Sequence, residues 1–168
     1  MKPVYIAFTI VIATVLMAMA NLPVAPKSSL VMEVFAGSTP CGGIIRPLHK
    51  IAQEFDCAMV EWNLTLYHDA VTLRPTTFKL TAVNRFVVKE TNMYSQPGSR
   101  SQTEGKWAIV QGTKTNSTAI VYQLNPGNST TSVSFLKLSD DLLHLLDQGA
   151  NLMIGDAFFS YTLNRVAR

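Results

Sequence analysis

Cysteine is scarce in this sequence, and none of the common metal-ligand spacings occurs in it. Cys41 and Cys57 are the only cysteines, with fifteen residues between them. No C-x-x-C, H-x-H or M-x-x-M pattern is present, so the close ligand spacings of zinc, copper and redox motifs are missing. The two cysteines are therefore either a distant pair of metal-binding thiolates or the two partners of a disulfide.

Charge and catalytic motifs are scarce as well. Charged residues make up 15% of the chain, and the formal net charge is +3 at pH 7. The basic residues are scattered rather than clustered, which argues against a nucleic-acid partner. Serine is plentiful, but no G-x-S-x-G motif occurs. His144 lies between leucines, which favours packing over a role as a base. We therefore expect that the protein is not an enzyme.

The first twenty residues have the three parts of a secretory signal peptide. Lys2 supplies a positive charge, residues 4–17 form an uncharged apolar run, and residues 18–20 (AMA) fit the small-x-small cleavage pattern. We expect cleavage before Asn21 and secretion across the inner membrane, to a periplasmic or extracellular location. The alternative is an uncleaved membrane anchor, for which the run is only marginally long. No cysteine follows the cleavage point, so no lipid anchor is expected.

The rest of the chain predicts one all-β domain. Residues 21–29 contain two prolines and small polar residues and are predicted to be a tether, so the domain covers residues 30–168. Residues 93–105 are rich in turn formers and are predicted to be a loop, and residues 157–165 form the last predicted strand. The clearest alternation, typical of a half-buried antiparallel strand, is in residues 58–69. One face of that strand carries Val60, Trp62, Leu64 and Leu66.

About eight or nine strand segments of this kind are separated by turn residues. The simplest architecture for these strand segments is an antiparallel meander closed into a small barrel, because closure removes the exposed sheet edges. The segment between the cysteines is the exception, since residues 44–56 have helical character with Pro47 in the first turn. An apolar helix face is predicted there from the spacing of Leu48, Ile51, Ala52 and Phe55.

Two hypotheses for the cysteine pair remain open. An exported chain favours a Cys41–Cys57 disulfide, which in the chain-entropy model stabilises a loop of this size by about 3 kcal/mol. On that hypothesis His49 is an ordinary surface residue. The other hypothesis is a Cu(I) site, because Cu(I) prefers thiolate and thioether ligands. Its ligand candidates are Cys41, His49, Cys57 and Met59. The disulfide is the favoured hypothesis, and copper is the one cofactor that the residues suggest.

Short motifs in both halves of the chain resemble those of one known family. Residues 40–41 (PC) and 56–57 (DC) are followed by the alternating strand 58–69, which ends in an acidic residue. Further along, residues 104–107 (EGKW) precede a strand, and residues 142–165 end in a Tyr-Thr-Leu segment after a glycine turn. These features resemble the N-terminal domain of the NlpE family, envelope lipoproteins linked to copper homeostasis and surface-stress sensing.

The resemblance implies a small lipocalin-like barrel in the bacterial envelope, and two features of the chain depart from the family pattern. The family's P-C-x-x-C motif is split here, because residues 42–55 are inserted between its halves. The lipoprotein cysteine of the family is absent. The first departure weakens a copper or redox role for the motif, and the second weakens lipid anchoring.

Two functions from different classes follow. The first is a non-enzymatic envelope protein, a monomer, that acts in copper homeostasis or stress sensing by binding a protein partner. The alternative is a lipocalin-like carrier of a small apolar ligand. An internal cavity would favour the carrier, and a barrel filled by Trp62, Phe78, Trp107 and Phe159 would favour the partner-binding protein. The residues predicted to meet a partner or ligand are Arg46, His49, Lys50, Trp62 and Trp107.

Overall fold

The computed structural model describes residues 30–42, 44–49, 51, 56–88, 91, 93–94, 98–125 and 132–167. The predicted signal peptide and tether, residues 1–29, lie outside the described residues. The strands are β1 (Leu30–Pro40), β2 (Cys57–Asp69), β3 (Pro75–Val88), β4 (Met93–Tyr94), β5 (Ser99–Gln111), β6 (Ile120–Leu124), β7 (Val133–Lys137), β8 (Leu142–Leu145) and β9 (Thr162–Ala167), and a short helix, α1 (Ile45–Leu48), lies between β1 and β2.

Eight of these strands close into an antiparallel barrel. The strand order is β2-β1-β9-β8-β7-β6-β5-β3, and β3 pairs with β2 to complete the ring. Among the described residues, the two residues of β4 pair with the end of β3. The predicted all-β, lipocalin-like barrel is thus confirmed, and the insertion between the cysteines, predicted to be short and helical or irregular, contains the helix α1. Among the described residues, no helix is long and apolar enough to cross a membrane.

The strand register assigns the connections to two opposite ends of the barrel. Leu30 pairs with Asp69 at one end of the β1–β2 ladder, and Pro40 pairs with Met59 at the other. The end near Pro40, here called the capped end, carries the β1–β2, β3–β5, β6–β7 and β8–β9 connections. The other end, here called the turn end, carries the β2–β3, β5–β6 and β7–β8 turns, the start of β1 and the end of β9.

Alternating side chains fill the barrel interior. The four apolar residues of β2 that were predicted to share a face are all buried, which confirms the period-2 interpretation. Trp62 meets the ring of Phe135 edge to face, with 6.5 Å between the centroids. The other walls of the barrel contribute Phe35, Phe78, Leu80, Trp107, Tyr122, Leu124, Leu143, Leu145 and Leu163 to the same core.

Two of the predicted segment types were wrong. Residues 93–105 are not one loop, because β4 lies there and β5 starts at Ser99. The first half of β5 pairs with β3 through backbone hydrogen bonds, which need no apolar side chains. The last strand begins only at Thr162. The preceding Phe158 is 88% exposed, so the apolar residues at the start of the predicted segment 157–165 belong to a loop.

A partly buried ionic cluster ties β1, β2 and β9 together at the turn end. The guanidinium of Arg165 lies 2.8 Å from the Glu33 carboxylate and packs over the ring of Phe35, 5.0 Å from its centroid. His68 Nε2 lies 3.5 Å from the other Glu33 oxygen, and this pair is ionic only when the imidazole is protonated. The His68 ring also packs edge-on against Trp107, at 4.9 Å between centroids.

The seam between β1 and β9 depends on a glycine. Only three residue pairs join these strands, with a bulge between Val34 and Phe35. A Cβ atom at Gly37 would lie 2.6 Å from the carbonyl oxygen of Thr162 and 2.9 Å from Cδ2 of Leu163. Real Cβ atoms are not found that close to a backbone oxygen, so any larger side chain at position 37 forces the two strands apart.

We therefore expect Gly37→Ala to lower the free energy of unfolding by about 1–3 kcal/mol, the usual cost of overpacking. Urea unfolding measures this directly. Gly42→Ala is the matched control, because its added Cβ would lie 3.3 Å from the Tyr161 hydroxyl, a contact that a small shift relieves. Equal stability of the two variants would show that β1 and β9 are not held this closely.

Candidate functional site

A disulfide holds the β1–β2 connection at the capped end. Cys41 directly follows β1, Cys57 is the first residue of β2, and their Cα atoms are 5.9 Å apart. The predicted disulfide is thus confirmed. The connection between them, residues 42–56, is called the cap below, and residues 42, 44–49, 51 and 56 of it are described. Because both sulfurs are oxidised, neither cysteine offers a thiolate to a metal ion.

The cap packs on the barrel through apolar side chains. Ile45 is completely buried, Ile51 is buried, and Leu48 packs against the same core. The predicted contributions of Leu48 and Ile51 are correct, and those of Ala52 and Phe55 lie outside the described residues. The predicted helix over residues 44–56 was too long, since α1 has four residues. Ile45, which the prediction omitted, lies three residues before Leu48 and therefore on the same face of the helix.

His49 points into the barrel rather than towards solvent. Its ring lies edge-on to Trp62, with centroids 5.0 Å apart, and its Nδ1 is 3.1 Å from the Ser101 hydroxyl on β5. Burial lowers the pKa of His49 from 6.5 to about 4, so the ring is neutral at neutral pH. The predicted surface position was wrong, because His49 lies four residues after Ile45 and so shares its inward helix face.

The two predicted tryptophans are buried in different parts of the barrel. Trp62 lies beneath the cap and donates a 2.8 Å hydrogen bond from Nε1 to the Thr39 hydroxyl. Trp107 donates from Nε1 to the backbone carbonyl of Tyr67 at 2.9 Å and contacts the His68 ring of the turn-end cluster. The structure therefore brings Trp62 to the capped end with His49 and leaves Trp107 near the turn end.

The remaining predicted site residues do not form a ligand set. Met59 lies on the face of β2 opposite to Trp62, because successive side chains of a strand alternate, whereas His49 packs on the Trp62 side. Within the described ranges no group of three or more His, Cys, Asp or Glu residues could hold a metal ion. Arg46 is half-buried on α1, and Lys50 lies outside the described residues.

A small cavity remains in the barrel beneath the cap. Its volume is about 200 Å³, and it is lined by Leu48, His49, Phe78, Leu80, Thr103, Leu124 and Val133. Thr103 lies four residues before the inward-facing Trp107 and therefore on the same face of β5, yet its side chain is exposed. The cavity therefore opens to solvent beside the first half of β5.

The β8–β9 connection borders the cap and presents apolar side chains to solvent. Ile154 is 90% exposed and Phe158 is 88% exposed. Between them, the Asp156 carboxylate accepts hydrogen bonds from the amides of Phe158 and Phe159, which fixes the turn. A groove of about 380 Å³ separates the start of this connection, residues 146–150, from Ile44 of the cap.

Sequence reasoning missed this loop because Phe158 was assigned to the predicted strand 157–165, whereas the strand begins at Thr162. The signal that could have revealed it is the Gly-Asp pair at residues 155–156, a turn signal placed between Ile154 and Phe158. Ile154 and Phe158 flank this tight turn and do not alternate along a strand, so their side chains are not directed into the core.

Comparison of the chain with protein-family models, with curated proteins and with solved structures finds no match. The likeness to the NlpE family therefore remains a resemblance carried by short motifs.

Thiol chemistry provides a direct check on the cap. We expect no reactive thiol in the native protein, and we expect reduction to lower the melting temperature by several degrees, because the disulfide restricts the unfolded chain. Thiol labelling and a thermal melt measure the two effects, with a Cys41→Ser/Cys57→Ser variant as the reference for the reduced state. Two freely labelled thiols that become protected only when copper is added would support the metal site instead.

The buried His49 should make stability depend on pH. Its folded-state pKa is lowered, so well above pH 6.5 neither state binds a proton and stability is unaffected. As the pH falls from 6.5 towards 4, the unfolded chain is protonated first, and the free energy of unfolding should drop by on the order of 2 kcal/mol. His49→Phe should remove this component, while His144→Gln should keep it. Urea unfolding across this pH range measures the difference, and an unchanged profile in His49→Phe would contradict the buried position.

Proposed function

We propose that the protein is a non-enzymatic exported envelope protein that binds a partner protein at the capped end of the barrel. The exposed pair Ile154 and Phe158 carries this proposal, in a β8–β9 connection whose start faces Ile44 of the cap across a groove. Exposed apolar patches mark interaction sites, and phenylalanine is enriched at protein–protein interfaces. The resemblance to NlpE-family sensors supports a role in envelope-stress sensing.

The packing of the interior supports a partner-binding role over transport of a bulky ligand. Trp62, Phe78 and Trp107 are buried in the core, as expected for a filled barrel, although Phe159 lies in the β8–β9 loop rather than in the barrel. The space that remains is about 200 Å³, below the range of roughly 300–1,000 Å³ usual for sites of drug-sized ligands.

A rigid platform also favours binding. The disulfide and the buried Ile45 hold the described residues of the cap in place, so little conformational entropy of these residues is lost when a partner docks. A copper-linked role, the other half of the resemblance, requires that the Cys41–Cys57 disulfide be reduced first. We therefore propose stress sensing through a protein contact as the main activity.

Site-specific photocrosslinking in the native host tests this surface. A photoreactive residue at position 158 should give a discrete crosslinked adduct, which Ile154→Asp should reduce strongly because it places a charge in the apolar contact. The same residue at position 71, exposed at the turn end, is the matched control and should not give that adduct. Identical adducts from both positions, or none from position 158, would contradict the proposal.

The apolar cavity favours a second candidate function, the carriage of a small apolar ligand. Five of its seven lining residues are apolar, and it opens beside Thr103. Native mass spectrometry of protein purified from its own host should then show a bound small molecule. Thr103→Phe, at the opening, should remove that mass. Gln102→Phe, on the outer face of β5, should keep it. A wild-type spectrum without any adduct would reject the carrier.

A further inference from the structure

The cavity beneath the cap is bordered by a histidine with an unused hydrogen-bonding atom. His49 lines this cavity, and its Nδ1 lies 3.1 Å from the Ser101 hydroxyl. The other ring nitrogen, Nε2, is buried and has no hydrogen-bond partner in the described part of the chain. A buried polar atom without a partner is unfavourable. Because bulk solvent does not reach Nε2, only a molecule inside the protein can satisfy it.

A water molecule fits this position poorly. Buried waters typically make about three hydrogen bonds. Among the described side chains that line the cavity, only those of His49 and Thr103 are polar, and Thr103 is already exposed to solvent at the opening. The apolar part of the lining includes Phe78 and Leu124. The cavity therefore suits an apolar molecule that carries a single polar group.

The polar group of such a molecule should be uncharged. None of the described residues that line the cavity carries a charge at neutral pH, because burial lowers the pKa of His49 to about 4. Glu104 and its cross-strand neighbour Lys79 lie on the outer face of the barrel, since the residues beside them in sequence line the cavity. A carboxylate or an ammonium group would lose its hydration there without gaining a counter-ion.

A hydroxyl is the uncharged group that matches Nε2 in every state of the neutral ring. The Ser101 hydroxyl can donate to Nδ1 or accept from it, so Nε2 can be either a donor or an acceptor. A hydroxyl also donates and accepts, and it can therefore bond Nε2 in both tautomers. A carbonyl or ether oxygen only accepts, so it matches one tautomer alone.

The size of the cavity restricts the apolar part of the ligand. The volume is about 200 Å³, and a dry apolar cavity of about 150 Å³ accepts benzene. The remaining space suits a hydroxyl group on such a ring, and Phe78 offers an aromatic surface for it. We propose that the cavity binds a small monocyclic phenol, with its ring among the apolar side chains and its hydroxyl hydrogen-bonded to His49 Nε2. This inference rests on the carrier function proposed above and adds the chemical class of the ligand.

Titrations of the purified protein with phenol and with benzene, followed by NMR, test the hydroxyl contact. Benzene is the matched ligand that lacks the hydroxyl. Both should bind the unaltered protein. In His49→Phe the affinity for phenol relative to benzene should fall about tenfold, because the bound hydroxyl loses its partner. His144→Gln, which alters a histidine outside the lining, should keep the original ratio.

The outcomes separate this inference from the carrier function. If neither ligand binds the unaltered protein, the carrier function fails and the inference fails with it. If both bind and the ratio is the same in His49→Phe, the carrier function stands and the hydroxyl contact is overturned. Benzene binding by His49→Phe shows that the cavity survives the substitution.

Nitrogen NMR of the imidazole gives a readout that needs no substitution. Saturating phenol should displace the His49 Nε2 resonance of the unaltered protein, because the atom gains a hydrogen bond. Benzene should displace it far less, since it offers no hydrogen-bonding group. Equal displacement by the two ligands, or none by phenol, would overturn the proposal.

Discussion

The Cys41–Cys57 disulfide is the constraint on which the capped end depends. It joins the end of β1 to the start of β2, so the chain between them leaves and returns at adjacent strands. The cap can therefore bury Ile45 and place His49 against Trp62 although its helix has only four residues. A helix this short does not form independently in water, so its structure comes from the covalent closure and from packing on the barrel.

The two ends of the barrel are built from different interactions. The capped end is closed by a disulfide and apolar packing, with a neutral imidazole beneath it. The turn end is closed by the Glu33–Arg165 ion pair and by aromatic rings around it. The β8–β9 connection, which leaves β8 at the capped end, carries the surface proposed for a protein partner.

Local patterns predicted those parts of the fold where burial follows a regular period. The face of β2 that carries Val60 and Trp62 was correct because a barrel wall buries every second residue. The start of β5 was missed because its inward residues carry no apolar signal: Thr103 lines the cavity and Ser101 hydrogen-bonds with His49. The inward position of His49 was missed because it depends on where a four-residue helix begins. The exposed Phe158 was missed because nothing in its own segment shows that the strand starts only at Thr162.

The central claim is that the disulfide holds the surface of the cap in a preformed structure. Hydrogen exchange in the cap tests this claim most directly. The amides of Leu48 and His49 donate to the carbonyls of Ile44 and Ile45 at 3.1 and 3.0 Å. In the oxidised protein these two amides should be protected. Reduction should speed their exchange more than tenfold, while the central amides of β2 should change little, because local opening is governed by local restraints. Equal protection of the cap amides before and after reduction would contradict the account.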